Sequence, residues 1–329
     1  MKVCVIGAGA IGGFIGTRLA AAGRAQVCAL ARGATLQALR TQGWRLKHGD
    51  ELIQTPARTG ESPAELGVQD LVIVAVKAPA MTSVARNMAP LLGPHTMVMP
   101  AMNGVPWWFC QGRPEFGSEP LQSVDPGGVI AQAIALPRVI GCVVHASTST
   151  PEPGLVQHKM GQGLIIGEPA GGSSERVQRV AELLAHAGFD VTQSADVRHD
   201  IWYKLWGNMT MNPISAITGA TIDRALSDPL VRHFCSAAML EAAAIGERIG
   251  CKVTQSPEDR HAITARLGAF KTSMLQDVEA SRPIELDAVI TAVHEMGQLL
   301  GQATPNIAAL LGLARLFGRV RGLYPDAAR

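Results

Sequence analysis

The sequence predicts an α/β chain in which a doubly wound parallel sheet is followed by an all-helical C-terminal domain. Three observations carry that prediction. Apolar runs at 3–6, 26–31, 70–76 and 96–101 alternate with helical patterns. The first run leads directly into Gly7-Ala8-Gly9-Ala10-Ile11-Gly12 and then a helix, the order of a Rossmann-type dinucleotide fingerprint. Beyond residue 194 the period changes: apolar residues recur at 197, 201, 205 and 209, with 202 and 206 beside them, as on an amphipathic helix.

Taken in order, strand 3–6 feeds helix 10–22 through the glycine turn. Gly7 permits the tight turn, Gly9 lets a pyrophosphate approach the backbone, and Gly12 lets helix and strand pack closely. Ala10 and Ile11 fall in the first turn of that helix, where amides and the positive dipole end favour phosphate. Strand 26–31 ends at Arg32, about where an NAD-type site places a carboxylate for the ribose hydroxyls. The first 49 residues contain no Asp or Glu. A guanidinium at that strand end would bind a ribose 2′-phosphate through charge and its donor fork, so the expected cofactor is NADPH. The alternative reading of Arg32 is a solvated cation.

A short helix at 34–41 and a polar hairpin at 44–58 come next. The near-continuous apolar run 70–76 reads as a strand buried on both faces, and Lys77 follows it. Helix 80–91 and strand 96–101 lead to Asn103-Gly104. Lys77 and Asn103 lie beyond the carboxyl ends of their strands, where ligands bind in such sheets; a plain structural cation and a common Asn-Gly turn are the alternatives. Strands at 139–146 and 164–167, joined by a turn-rich stretch with Pro151, Pro153 and Gly154, then helix 174–187 and strand 189–192, complete the first domain.

At 329 residues and 47% apolar composition the chain can bury two cores. The division expected is 1–194, binding NADP, and 195–329, helical and substrate-binding. A net charge of +2, with no run of four basic residues, excludes nucleic-acid and membrane-surface binding as principal functions. The stretch 3–23 carries only Arg18 as a charge, but its Gly/Ala richness fits the fingerprint better than a membrane span or signal peptide. The six cysteines form no CxxC and no zinc spacing, which points to a reduced cytoplasmic protein without a metal. The apolar faces of the C-terminal helices allow a homodimer.

Helices are expected at about 228–250, 257–280 and 284–301. On the helix after residue 194, Lys204, Asn208 and Asn212 are spaced by four and share one polar edge. Pro213 should kink or end that helix and free the carbonyl of Met209. An ammonium and two carboxamides suit a ketone: Lys204 can protonate the developing alkoxide while the amides fix carbonyl and carboxylate. A surface pair with Asp200, one turn earlier, is the competing reading. Ser273 falls within a helix, and Glu285 in the first turn of another, where the dipole would keep it ionised as an acceptor for a substrate hydroxyl. His145, His158, His199 and His294 lie in four different local patterns with no assignable acid partner and read as packing or surface groups.

These residues together resemble the ketopantoate reductase (2-dehydropantoate 2-reductase) family over nearly the whole chain. The resemblance is carried by the glycine motif, strand-end Arg32, Val76-Lys77, Asn103-Gly104, Lys204-x3-Asn208-x3-Asn212-Pro213, Ser273-Met274-Leu275-Gln276-Asp277 and Glu285-x-Asp287. It implies NADPH-dependent reduction of ketopantoate to pantoate, with Lys204 as general acid and Asn208, Asn212, Ser273 and Glu285 binding substrate. It also implies that Asn103 helps hold the nicotinamide or the substrate. Two departures stand out. Trp107-Trp108-Phe109 follow the Asn-Gly pair, and Phe270 stands where some members have Asn. Both would favour a bulkier or more apolar 2-keto acid, unless the aromatics serve packing. A non-catalytic NADPH-binding regulator is the reading from another class, and the complete Lys-Asn-Asn-Ser-Glu set argues against it.

Overall fold

The computed structural model describes residues 1–326. By its internal contacts the chain divides into two compact units: Met1–Asn103 with Gly128–Asp200, and Gly104–Gly127 with the chain from Ile201 onward.

The first unit contains strands β1 (Lys2–Ile6), β2 (Gln26–Leu30), β3 (Trp44–His48), β4 (Glu51–Thr55), β5 (Arg58–Gly60), β6 (Gln69–Val74), β7 (Leu92–Pro100), β8 (Gly141–Glu152), β9 (Leu155–Gly167) and β10 (Asp190–Ser194). Its helices are α1 (Ala10–Ala22), α2 (Gly33–Gln42), α3 (Pro63–Leu66), α4 (Met81–Asn87), α5 (Val129–Ala133) and α6 (Glu175–His186). One sheet runs β5-β2-β1-β6-β7, all parallel. Val72 and Ile73 of β6 are completely buried, as a strand covered on both faces must be. The second sheet runs β10-β9-β3-β4, with β8 also paired to β9.

Helix α1 packs against strands of both sheets, and its sequence explains how it fits. On one side, a Cβ added to Gly12 would stand 2.1 Å from the Gly7 carbonyl oxygen. On the other, Cβ atoms at Gly13 and Gly16 would fall 2.5 Å from Val156 and from the Trp44 ring. Glycine on both sides thins the helix so that two layers can close on it. Arg18, its one charge, is kept by polar and aromatic partners: the guanidinium donates to the Gly188 carbonyl at 2.6 Å and Gln162 at 3.2 Å, and lies over the Phe14 ring.

Local departures from the sequence reading have identifiable causes. Strands β8 and β9 form one long hairpin from the Gly141/Gly167 pair to the Glu152/Leu155 pair, turning at Pro153 and Gly154. Polar Ser147 to Thr150 and register shifts hide its alternation. The expected helix 80–91 is reduced to α4, with single 3₁₀ turns at Ala78–Ala80 and Ala89–Leu91, each holding a proline.

The second unit carries α7 (Val197–Thr218, entering it at Ile201), α8 (Ile222–Ser227), α9 (Pro229–Arg248), α10 (Pro257–Ala265), α11 (Ser273–Glu279), α12 (Ala292–Leu299) and α13 (Pro305–Val320). Of the two outcomes expected at Pro213, the helix does not end there: α7 runs on to Thr218. Met209, Met211, Ile214 and Ala216 are all buried around it, and that packing outweighs a proline penalty of about 3 kcal/mol. The expected helix 257–280 is two, α10 and α11, broken where Gly268 takes φ +62° and Thr272 caps the second. The expected helix 284–301 opens with a π turn at Asp287–Thr291, and Glu285 precedes it rather than lying in its first turn. Helix α13 is additional to the expected set; its first amides are capped from α9, where Glu241 accepts from Asn306 and Ile307 N–H at 2.9 and 3.0 Å.

The segment Gly104–Gly127 is packed into this helical unit. Trp107, Trp108 and Phe109 are at most 3% exposed, and Phe109 stacks on Trp202 with centroids 6.0 Å apart. Glu295 of α12 accepts from the Gln122 and Ser123 amides at 2.6 and 2.9 Å. The aromatic cluster is therefore core. All six cysteines are buried free thiols, with Cys4 opposite Cys28 on β1 and β2; burial pushes the Cys235 thiol up to about 12. Among the described residues no helix is long and apolar enough to cross a membrane, and no cluster of His, Cys, Asp and Glu could hold a metal.

Two predictions follow from this packing. Trp44→Ala should lower unfolding free energy by about 3–5 kcal/mol in urea titrations, because the ring fills the space left by Gly16. His261 of α10 is buried and hydrogen-bonded with Ser236 of α9; burial, outweighing Glu258, lowers its pKa from 6.5. Its contribution is complete above 6.5 and is lost as pH falls through the lowered folded value. Melting curves from pH 7.5 down to 5 should show that loss, and His261→Gln should flatten it.

Candidate active site

In the first unit the predicted cofactor residues gather at one edge of the parallel sheet. Gly7 follows the last residue of β1, Arg32 stands two residues past β2, Lys77 three past β6 and Asn103 three past β7. These are the carboxyl ends of neighbouring strands, the edge on which open parallel sheets bind ligands. The ladder continues beyond the strand ends to fix it: Gly7 N–H donates to Leu30 at 3.2 Å, Ala75 to Ile6 at 2.9 Å and Ala101 to Val74 at 2.8 Å.

The three motif glycines divide by cause. Gly7 has φ +86°, and a Cβ there would lie 2.7 Å from Val76. Gly12 admits no Cβ because of the Gly7 carbonyl. At Gly9 a Cβ would meet no protein atom within 4 Å, so the chain itself does not require glycine there; a ligand lying against the backbone would. Helix α1 has no side-chain cap and no acid in its first turn, which leaves its leading amides, at Ala10 and Ile11, for phosphate. Helix α2 has the same features, with exposed Arg32 at its N-cap position. A guanidinium beside the positive end of a helix dipole is unfavourable without an anion. The residues at the start of α1 thus fit the pyrophosphate of a dinucleotide.

In the second unit Lys204, Asn208 and Asn212 lie along one edge of α7, the first two half-buried and Asn212 buried. Asp200, the alternative partner of Lys204, receives the Ser194 hydroxyl. Ser273 is the first residue of α11 and is exposed. A buried chain of hydrogen bonds ties it to α7. Leu275 N–H donates to Thr272 Oγ1 at 3.2 Å, the Thr272 hydroxyl to Ser215, and the Ser215 hydroxyl to the Asn212 carbonyl at 3.0 Å.

Glu285 is half-buried and braced through its neighbours. Ile284 N–H donates to the Leu323 carbonyl at 3.0 Å, and Asp287 accepts from the Tyr324 hydroxyl at 2.6 Å. Burial first, and then Asp287, push that hydroxyl up to about 12. Within the π turn the Ala288 carbonyl accepts from Val105 N–H at 2.7 Å. Gly104, with φ +83°, is pressed onto the same carbonyl, 2.4 Å from where its Cβ would be.

Sequence reasoning missed three supports. The Gly104–Ala288 contact joins positions far apart in sequence and leaves no local signal. Thr272 could have been found as a helix cap before Ser273. Arg260 places its guanidinium over the Tyr203 ring, 4.7 Å from its centroid, and its Nε would lie 2.7 Å from a Cβ at Gly207. A glycine inside a buried helix was the available clue. Of the histidines, His158 stacks on Phe14 and His294 bonds with Thr304, both packing roles.

Comparison with known proteins covers both units. Residues 3–108 match the model for "Ketopantoate reductase PanE/ApbA", and residues 196–317 that for its C terminal part. A Mesorhizobium japonicum protein named 2-dehydropantoate 2-reductase is 44% identical over 98% of this chain and 100% of its own. A crystal structure from Ralstonia solanacearum MolK2, assigned to the ketopantoate reductases, is 54% identical with a TM-score of 0.93, covering 98% and 99% of the two chains. A D-mandelate dehydrogenase, solved with NADH and anilino(oxo)acetate, shares the fold at a TM-score of 0.84 and 18% identity over 98% of this chain and 100% of its own.

Gly104→Ala should destabilise the protein by about 1–3 kcal/mol, the scale of a strained backbone position, since it adds a Cβ at positive φ against a carbonyl. Thermal melts measure this, and an unchanged melting temperature would refute the close contact with Ala288.

Proposed function

The chain belongs to the ketopantoate reductase family, and from that premise we propose that it reduces 2-dehydropantoate to pantoate with NADPH. The observation that carries the reading is the edge of α7. There Lys204, Asn208 and Asn212 stand in register within the family's C-terminal segment. When bound, the reduced nicotinamide supplies hydride to the keto carbon of the substrate.

The remaining chemistry belongs to the chain's own side chains. The Lys204 ammonium donates its proton to the keto oxygen as negative charge develops there, help worth roughly 10²–10⁴-fold in rate, and is reprotonated from solvent. Asn208 and Asn212 donate to the carbonyl and carboxylate and so fix the face presented. Ser273 binds the carboxylate end, and Glu285 accepts from the substrate hydroxyl. On the cofactor, Gly9, Ala10 and Ile11 hold the pyrophosphate, Arg32 the 2′-phosphate, and Lys77 and Asn103 the part nearer the nicotinamide. The burial of Trp107, Trp108 and Phe109 in the second unit removes the main reason to prefer a bulkier keto acid. Six free thiols suit the reducing cytoplasm.

Steady-state assays at 340 nm test the proposal. NADPH with ketopantoate should outperform NADH and a panel of aromatic and branched 2-keto acids in kcat/KM. Lys204→Ala should lose about 10²–10⁴-fold in kcat while retaining NADPH binding by fluorescence; near-normal turnover by that variant would sink the assignment. Arg32→Ala should raise the NADPH KM about 10–100-fold, the loss of one or two charged hydrogen bonds, and leave NADH little changed. Equal losses with both cofactors would place the 2′-phosphate elsewhere.

A further inference from the structure

The residues assigned to the substrate leave one charge unmet. Asn208, Asn212 and Ser273 are neutral, Glu285 is an acid, and Lys204 is committed to the keto oxygen. A 2-keto acid also brings a carboxylate, one bond from the carbon that is reduced. Moving a carboxylate out of water onto neutral groups alone is costly, so the site needs a second cation beside Lys204. Arg260 of α10 supplies one.

Gly207 seats it. The three heavy atoms nearest to a Cβ added there all belong to the Arg260 guanidinium, Nε at 2.7 Å, Nη2 at 3.0 Å and Cζ at 3.3 Å. Gly207 is buried inside α7, where glycine costs about 1 kcal/mol relative to alanine. What the helix gains there is room for a guanidinium against its backbone. One turn earlier the Tyr203 ring meets the same group, with Cζ 4.7 Å from the ring centroid. Lys204 follows Tyr203 and precedes Gly207 by three, so it belongs to the same helix surface. Lys204 and the seated guanidinium are therefore neighbours on α7.

The guanidinium is held without being paired. Its Nε is shielded from water and meets no hydrogen-bond acceptor among the described residues. The two acids beside it in sequence are engaged elsewhere: Glu258 accepts from Arg232 Nε at 2.9 Å, and Asp259 from the Ser256 N–H and hydroxyl at 3.1 and 2.7 Å. Arg45 and Arg113 also have a shielded Nε, but their other nitrogens donate within the chain, to Glu152 and to the Ile249 carbonyl. A guanidinium stacked on a ring with its donors open is a preformed fork for a planar carboxylate. We infer that Arg260 binds the carboxylate of the 2-keto acid and holds the keto group, one bond away, against Lys204. It then sets the preference for keto acids over neutral ketones. The inference rests on the reading of Lys204 as proton donor to a keto oxygen.

NADPH-oxidation assays on the full chain test this by comparing ketopantoate with ketopantolactone, its neutral internal ester, in wild type, Arg260→Lys and Arg260→Met. Methionine keeps an unbranched stem over Tyr203 and removes the donors. Arg260→Met should raise the ketopantoate KM about 10–100-fold, the loss of one or two charged hydrogen bonds. Its NADPH KM and its turnover of the lactone should stay as in wild type. Arg260→Lys, which keeps the charge without the fork, should fall between the two. An arginine that only braces Tyr203 would lower acid and lactone together. Equal losses on both, or an unchanged ketopantoate KM in Arg260→Met, would overturn the inference while leaving the proposed reaction intact. A wild type inactive on every 2-keto acid would overturn the two together.

Discussion

Much of the first unit depends on how thin one helix can be. Helix α1 passes between two sheets, and along it glycine replaces the side chains that would hold those layers apart. Gly12 sits against the turn that leaves β1, while Gly13 and Gly16 receive Val156 and Trp44 from the other side. The same geometry aims the start of the helix past the end of β1, so its first amides point where a phosphate would lie. Packing and ligand geometry share one cause. Layer spacing could not be relaxed by larger side chains without also moving the N-terminal end of the helix.

The second unit places its chemistry differently. The polar side chains of the proposed site stand on a long buried helix and beside a π turn, both held by hydrogen bonds from other side chains and from the backbone. Thr272 and Ser215 join α11 to α7, Tyr324 steadies Asp287, and the Ala288 carbonyl takes the Val105 amide. Side chains positioned by such secondary contacts lose less entropy when they meet a substrate. π turns are uncommon and concentrate near functional positions; here a carbonyl within the turn holds a distant loop.

The parallel sheet was legible because buried parallel strands are nearly unbroken apolar runs, as at Leu71–Val74, and because the glycine spacing has local physical causes. Helix α1 was read with its observed ends for that reason. The polar edge of α7 was legible from spacing alone, although whether the helix ends or continues at Pro213 was not: local rules register the lost donor and not the packing on either side. The Gly104–Gly127 excursion, the Ala288 clamp and the full length of the β8–β9 hairpin were invisible because each is decided by contacts that sequence periodicity does not record. Helix α13 escaped notice for the opposite reason. Apolar on both faces, it lacks the polar/apolar contrast by which surface helices are recognised.

The cysteines give the molecule an internal record of its own opening. Three of them, Cys4, Cys28 and Cys142, belong to the first unit, and three, Cys110, Cys235 and Cys251, to the second. None is more than 5% exposed. A thiol that water cannot reach is alkylated only when the structure around it opens, so labelling rates measure opening free energies site by site. The two sets therefore report on the two units separately in one reaction. The chain can be interrogated for whether cofactor steadies one unit and substrate the other, without introducing any probe.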